Sequence, residues 1–253
     1  MRTFKRRSVV SLALVAALTL TLGACGGADD GGGDTPASST SVSIFTGQVG
    51  DFTAPNFNPF NTTGSFLQPT QGVIYEALFY YNIARADQPR PVLGTAFEWN
   101  EDGTTLTIEL RPGVKFSDGS AMTADDVVFS LDLVSHNPAL NTSGQVWQTD
   151  KLDADRVILT FPKPAFTLEA QILGREPIVP QAIWRDIADP TAGTNDNPVG
   201  TGPYMFSEYT PQAIILQKNP NYWGTGAEAP AIEYVRYISL ANADAATTAL
   251  QQG

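Results

Sequence analysis

The chain has 253 residues, enough for one or two domains, and its 26 acidic and 15 basic side chains give a net charge of −11. Such an acidic surface repels polyanions, so the composition argues against a nucleic-acid-binding role. Cys25 is the only cysteine and His136 the only histidine. This excludes an internal disulfide framework, a thiolate cluster and a multi-histidine site, so we expect neither a metal ion nor a cofactor.

Residues 1–24 predict a removable export signal. A basic start precedes an uncharged run from Val9 to Leu22. At about 1.5 Å per residue this run spans roughly 21 Å, short of the ~30 Å bilayer core, so a cleaved signal fits better than a membrane-spanning helix. The run ends in Leu22-Gly23-Ala24-Cys25, which resembles a bacterial lipoprotein box. The resemblance implies lipidation of Cys25, which cleavage leaves as the first residue.

Residues 25–41 join the lipidation site to a predicted flexible linker, because Gly, Asp, Ser and Pro leave almost nothing apolar to bury. A lipid at the end of such a linker predicts a folded body anchored at the outer face of the cytoplasmic membrane, at the cell surface or in the periplasm. Arg6-Arg7 leaves open whether export is twin-arginine or general secretory.

From Val42 onward, strands, turns and short helices alternate irregularly in the predicted pattern, which favours a mixed α/β fold. Val42–Phe45 is predicted as the first strand. Pro55–Gly64 is predicted as a loop, because it is rich in proline and asparagine. Pro69–Leu78 is predicted as a helix with its apolar residues on one side.

Two hairpins are predicted, with turns at Glu101–Gly103 and Asp153–Asp155, because alternating apolar residues flank each turn. Between them Thr123 is typical of a helix N-cap, and Asp125 and Asp126 suit the first turn of a helix. The remaining elements are strands near Tyr204–Ser207, Ala213–Gln217 and Ile232–Ile238, and a helix from about Asp244.

Several motifs follow one another along the body of the chain. They are Tyr75-Glu76-Ala77-Leu78, Leu93–Trp99 with Leu106–Gly119, Met122–Ser130, Val199–Tyr204 and Asn219–Trp223. Behind the lipoprotein box, they resemble the family 5 solute-binding proteins of bacterial ABC importers, the peptide, nickel and oligopeptide class. The physical role of the motifs is mostly structural: Asp118-Gly119 suits a tight turn, and Gly200-Thr201-Gly202-Pro203 suits a crossing too close for side chains.

The resemblance implies a fold of the type II periplasmic-binding-protein kind with two lobes. Lobe I is expected from residues 42–75 plus 179–253, and the smaller lobe II from residues 76–178. Chain crossings near residues 75 and 179 would form the hinge. Family members are about twice this long, so the sequence is interpreted as an amino-terminal fragment that lacks the C-terminal part of the family fold.

The resemblance also implies a binding function and no enzymatic activity. An oligopeptide would be captured between the lobes and delivered to a membrane permease, with separate ATPase subunits supplying the energy. Oligosaccharides or nickel chelates are alternative solutes. More distant alternatives are a lipid-anchored hydrolase, for which His136 is the single candidate base, and an adhesive surface lipoprotein.

The ligand-binding residues carried over by the resemblance fall on two segments. The first wall of the cleft is expected in the loop Asn58–Phe66 after the first strand, with Phe60 or Phe66 against apolar parts of the ligand. The predicted ligand-binding residues of this loop are Thr62, Thr63, Gly64, Ser65 and Phe66. The smaller lobe is expected to contribute Gln145 and Trp147, although packing in the core is an equal alternative for Trp147. Packing roles are predicted for Trp99, Tyr204 and Trp223. His136 is predicted to be solvent-facing.

Overall fold

The computed structural model describes residues 41–52, 55–61, 67–85 and 87–252. The predicted signal, the Cys25 lipidation site and most of the linker lie outside these ranges, as do Thr62, Thr63, Gly64, Ser65 and Phe66. In the ranges described, no helix combines the length and apolar character needed to cross a membrane.

These ranges contain strands and helices that mix along the chain as predicted. The strands are β1 (Ser41–Val49), β2 (Phe79–Tyr80), β3 (Arg90–Pro91), β4 (Gly94–Trp99), β5 (Thr105–Leu110), β6 (Gln148–Lys151), β7 (Arg156–Thr160), β8 (Tyr204–Thr210), β9 (Ala213–Lys218) and β10 (Tyr234–Leu240). The α-helices are α1 (Leu67–Thr70), α2 (Ala124–His136), α3 (Glu169–Arg175), α4 (Gln181–Trp184) and α5 (Ala243–Gln252). The fold is mixed α/β.

A large sheet has the strand order β1-β10-β9-β8. β1 runs parallel to β10, with Ser41 opposite Tyr234 and Ile44 opposite Tyr237, and the other pairs are antiparallel. In β9 the four residues from Ala213 to Leu216 are all buried, so this strand forms the middle of the core on both faces. The sheet therefore joins the start of the described chain to its last third.

A smaller antiparallel sheet has the order β4-β5-β7-β6 and is built from the two predicted hairpins. Alternate residues of its strands, such as Leu106 and Leu159, are fully buried, as is Leu131 of α2. Thr123 caps α2 as predicted: its backbone N–H donates to Oδ2 of Asp126 at 2.8 Å, the reciprocal half of a capping box.

The predicted helix over Pro69–Leu78 is wrong. Only the single turn of α1 is helical, and Gly72 has a φ of +76°, which ends it. The carbonyls of Val73 and Ile74, which a helix would use internally, instead accept hydrogen bonds from the backbone N–H groups of Tyr204 (3.3 Å) and Gly202 (2.9 Å). Contacts with a distant part of the chain decide this segment.

The close crossing predicted for the glycine-rich motif is confirmed. A Cβ atom at Gly200 would collide with the backbone carbonyl of Ile74, and one at Gly202 with that of Val73. The two sheets draw on separate parts of the sequence, since the small sheet lies within residues 76–178 and the large sheet outside them. The lobe boundaries themselves stay a prediction.

Candidate ligand-binding site

A cavity of about 660 Å³ opens between the segment after α1, the short pair β2–β3, helix α3 and the turn after β9. Its lining combines aromatic side chains, among them Phe60, Tyr75 and Trp223, with charged ones. Concave sites of this size, with a few convergent polar groups, are the usual place for a small ligand. We therefore take this cavity as the candidate site.

One wall of the cavity is held by Asn58. Its buried side-chain amide donates to the carbonyls of Pro190 (2.9 Å), Ala192 (3.1 Å) and Gly193 (3.3 Å), while its Oδ1 accepts the N–H of Phe60 at 2.9 Å. These bonds pin the loop ahead of α1 to residues 190–193. Pro59 and Phe60, the next two residues, line the cavity.

Asn195 secures the same wall from the other side. It has a left-handed backbone, with a φ of +49°, and its side-chain amide donates to the carbonyl of Phe57 (3.0 Å) and to the hydroxyl of Tyr75 (2.8 Å). Asparagine tolerates this conformation better than most residues. Phe60 also meets Trp184 edge-on, with ring centroids 5.1 Å apart. The aromatic wall is thus fixed by contacts with residues far along the chain.

Glu76 is the most buried charged group of the cavity, with 6% of its surface exposed. Its Oε2 accepts the indole N–H of Trp223 at 3.0 Å and its Oε1 the hydroxyl of Tyr222 at 3.2 Å. The guanidinium of Arg111 lies 4.0 Å from the centre of the Trp223 ring. Burial raises the pKa of Glu76 to about 7, although these donors and the Arg111 charge oppose the rise.

Glu176 also lines the cavity, beyond the end of α3. Burial raises the pKa of its carboxyl to about 7, against the opposing charge of Arg175 and a hydrogen bond from Gln171. Arg90, another lining residue, lies over the Tyr80 ring at 5.0 Å from its centre. The cavity therefore offers aromatic faces, two acidic groups that titrate near neutrality and guanidinium groups.

The structure places the sequence-predicted site residues in different surroundings. Gln145 and Trp147 are both buried beside α2, just before β6 of the small sheet, and the Trp147 ring packs against Phe161 at 6.0 Å between centroids. The cavity lining includes neither residue. Their contact with a ligand stays a prediction, and so does that of residues 62–66, although Phe60 and Gln71 on either side of that segment line the cavity.

Other predicted roles are clearer. Trp99 and Trp223 pack as predicted, with Nε1 of Trp99 donating to Glu169 at 2.8 Å, and Tyr204 packs against the core. His136 is exposed at the end of α2, with its Nδ1 3.0 Å from the carbonyl oxygen of Asp132, and lines a separate groove between α2 and α4. Within the ranges described, no cluster of three His, Cys, Asp or Glu side chains is placed to hold a metal ion.

Sequence reasoning missed Glu76 as a site residue, and it placed Asn58 in the expected ligand-contacting loop without its role in anchoring that loop. Glu76 belongs to the Tyr75–Leu78 motif. An acidic residue among apolar ones is the signal that could have identified it, because a buried carboxylate needs hydrogen-bond donors around it. Asn58, in a Pro- and Asn-rich loop, gave no such signal. Its partners lie more than 130 residues away, with a separation of 132 to Pro190.

Comparison with known proteins identifies the family. Residues 88–253 match the family of bacterial extracellular solute-binding proteins, family 5, in its middle region. The chain belongs to this family. Among the relatives, Protein XP55 of Streptomyces lividans is 31% identical over 169 residues, covering 65% of this chain and 30% of the relative. The dipeptide-binding protein of Escherichia coli K12 is 30% identical over 225 residues, covering 73% of this chain and 40% of the relative.

A solved structure shares the fold of this family 5 chain. It is the mannohexaose-bound periplasmic oligopeptide-binding protein of an oligopeptide ABC transporter from Thermotoga maritima, with a TM-score of 0.75 and 27% identity. The match covers 87% of this chain and 41% of that structure. The chain thus spans less than half the length of each of these three proteins, and its fold is that of periplasmic binding proteins of the family 5 type.

Proposed function

We propose that this chain is part of the extracytoplasmic solute-binding component of an ABC importer that captures oligopeptides. The component would deliver them to a membrane permease, with separate ATPase subunits supplying the energy, and would break no bond of the solute. The observation that carries this proposal is the cavity, in a family 5 chain, where aromatic walls meet groups of both charges.

A short peptide matches the chemistry of the lining. Its amino end is cationic and its carboxyl end anionic, and the cavity carries Glu76 and Glu176 as well as Arg90 and Arg175. Its side chains can lie against the aromatic rings. At about 660 Å³ the cavity lies in the size range of small-molecule sites. The name of the Escherichia coli relative, a dipeptide-binding protein, supports the same solute class.

Oligosaccharides are the second candidate, favoured by one specific observation. The Thermotoga maritima relative was solved with mannohexaose bound. Sugar rings stack well on aromatic faces such as Trp223 and Phe60, and their hydroxyl groups need neutral donors and acceptors. Charge in the lining favours the peptide, because a neutral sugar cannot form ion pairs with the carboxyl and guanidinium groups there.

We also propose two lobes, lobe I from residues 42–75 plus 179–253 and lobe II from residues 76–178, with ligand contacts from residues 62–66, Gln145 and Trp147. The distribution of the two sheets supports the division. The cavity lies where the segment after α1 meets α3 and the turn after β9, so it draws on both proposed lobes. Closure on the solute would complete the burial of its polar groups.

Calorimetric titration of the complete protein tests the solute class. We expect heat of binding with a mixture of di- to pentapeptides and none with cello- or manno-oligosaccharides. Arg90→Gln, in the lining, should lower the affinity for peptides about tenfold, whereas Arg85→Gln, an exposed arginine outside the lining, should not. Binding of oligosaccharides alone would move the assignment to sugars, and binding of neither class would end it.

The anchored location is a separate proposal. Lipidation of Cys25 after signal cleavage would hold the protein at the outer face of the cytoplasmic membrane through its acyl chains. Radiolabelled palmitate should be incorporated into the wild-type protein and not into Cys25→Ser. A Cys25→Ser protein that still carries the label would refute the anchor without affecting the solute assignment.

A further inference from the structure

Three side chains just before and at the start of β6 carry hydrogen-bonding atoms that have no partner among the described residues. The atoms are Oε1 of Gln145, Nε1 of Trp147 and Oγ1 of Thr149. The exposed fractions of these residues are 9%, 1% and 3%. The residues between them, Val146 and Gln148, are exposed, so the backbone is extended and the three side chains share one face.

The backbone of the same segment is well supplied with partners. Oγ of Ser135 accepts from the N–H of Trp147 at 2.8 Å and donates to its carbonyl at 2.6 Å. Oδ1 of Asp132 accepts from the N–H of Thr149 at 2.9 Å, and the side chain of Asn141 donates to the carbonyl of Gln145 at 2.9 Å. These bonds tie the segment to α2 and to the loop after it.

Three unpaired groups on one buried face need an explanation. Native proteins keep few buried polar atoms without a partner, because such an atom has lost its hydration and gained nothing in return. Gln145 presents an acceptor, Trp147 a donor and Thr149 a hydroxyl that does both. None of the three groups is charged. The set therefore matches a neutral partner that both donates and accepts.

We propose that Gln145, Trp147 and Thr149 form a buried binding site for neutral hydrogen-bonding groups beside α2, where the chain enters β6. The groups come either from internal water molecules or from hydroxyl and amide groups of the bound solute. The water source is independent of the proposed function. The solute source rests on the proposed function. In that case the predicted ligand residues Gln145 and Trp147 would contact the solute through these hydrogen-bonding atoms.

Thr149→Val tests the proposal, because valine has nearly the shape of threonine and lacks only the hydroxyl. Removing a hydroxyl that has a bound partner lowers stability, whereas removing an unpaired one leaves stability unchanged or raises it. The urea midpoint of the solute-free complete protein is measured first, then the affinity for peptides and for manno-oligosaccharides. Thr160→Val, at an exposed position of the neighbouring strand β7, corrects for the strand preference of valine.

The change in the urea midpoint on Thr149→Val is read after subtracting the change on Thr160→Val. A lower corrected midpoint supports internal water. An unchanged or higher midpoint with a solute affinity at least fivefold weaker supports solute groups at the site. An unchanged or higher midpoint with unchanged affinity overturns the proposal. If the wild-type protein binds no solute, the proposed function fails and the midpoint alone decides the site. Gln145→Met should move the midpoint in the same direction as Thr149→Val.

Discussion

The indole nitrogen of Trp223 donates a 3.0 Å hydrogen bond to the carboxylate of Glu76, across 147 positions of sequence. The same indole ring lies under the guanidinium of Arg111, which follows β5 of the small sheet. Tyr222 adds a second donor to Glu76 from the same turn after β9. One buried carboxylate thus connects the segment after α1, the large sheet and the small sheet. Its protonation should therefore change the free energy of unfolding of the whole fold.

Stability should fall as the pH rises through about 7. Burial raises the folded-state pKa values of Glu76 and Glu176 from 4.5 to about 7. The folded protein then binds these protons more tightly than the unfolded chain does. The resulting stability is fully present below the unfolded pKa and is lost as the pH passes through the folded pKa. We expect a higher urea midpoint at pH 5.5 than at pH 8.

Glu76→Gln should reduce that difference between the two pH values by on the order of 1–3 kcal/mol, because a glutamine cannot titrate. Glu98→Gln, at an exposed position of β4, is the matched control and should leave the difference as it is. A Glu76→Gln protein with the full wild-type pH dependence would contradict the assignment of the effect to this carboxyl.

Alanine at Gly202 or Gly200 should be severely destabilising. The added Cβ would meet a backbone carbonyl in each case, and a backbone cannot move aside as a side-chain end can. We expect a loss of about 3 kcal/mol or more, at the upper end of overpacking effects. Gly113→Ala is the control, since its φ is +74° but no atom lies within 4 Å of a new Cβ. That variant should lose only the ~1–2 kcal/mol of left-handed backbone strain. If thermal unfolding shows the same loss of stability for Gly113→Ala as for alanine at Gly200 or Gly202, the clash is disproved.

Asn58→Ala should loosen the wall of the cavity. It removes three donated hydrogen bonds and one accepted one, all at a buried site. We expect a loss of roughly 2–4 kcal/mol, because buried carbonyls are left without donors. The exchange of the Phe60 amide hydrogen should also accelerate. Asn82→Ala, which removes a single exposed bond to the N–H of Ala84, should cost less than about 1 kcal/mol and leave Phe60 protected. Comparable effects of the two variants would argue against this role for Asn58.

Two adjacent acids of α2 should behave differently. Asp126 caps the helix through Thr123 and also accepts the N–H of Gln181 at 2.9 Å, so Asp126→Ala should lose roughly 1–3 kcal/mol. Asp125 pairs with Lys151 at 2.8 Å on the surface, and Asp125→Ala should lose at most about 1 kcal/mol. Urea unfolding measures both. A larger loss for Asp125→Ala would show that the surface ion pair matters more than the cap.

Local features of the fold were predictable where their causes are local. Gly119 has the left-handed φ, +89°, that the Asp-Gly turn requires. Thr123 and Asp126 are three residues apart, so their capping box can be read directly from the chain. Val157 and Leu159 alternate with other residues along β7, and this spacing alone predicts that they share one buried face.

The site was less predictable, because its causes are long-range. Asn58 and Asn195 look like ordinary loop residues, and only the fold brings their amides to carbonyls on the opposite segment. Glu76 becomes a proton-binding group only because folding buries it, and its donors Trp223 and Tyr222 come from a distant turn. The same holds for Trp147, whose burial beside α2 depends on how the small sheet packs.

The sequence by itself determined the turns, the helix cap, the strand alternation and the family motifs, because each depends on residues a few positions apart. Only the tertiary structure decided that the segment after α1 is not a helix and which polar side chains are buried. Both outcomes depend on hydrogen bonds between parts of the chain that meet only on folding, as those of Val73 and Ile74 with Tyr204 and Gly202 do.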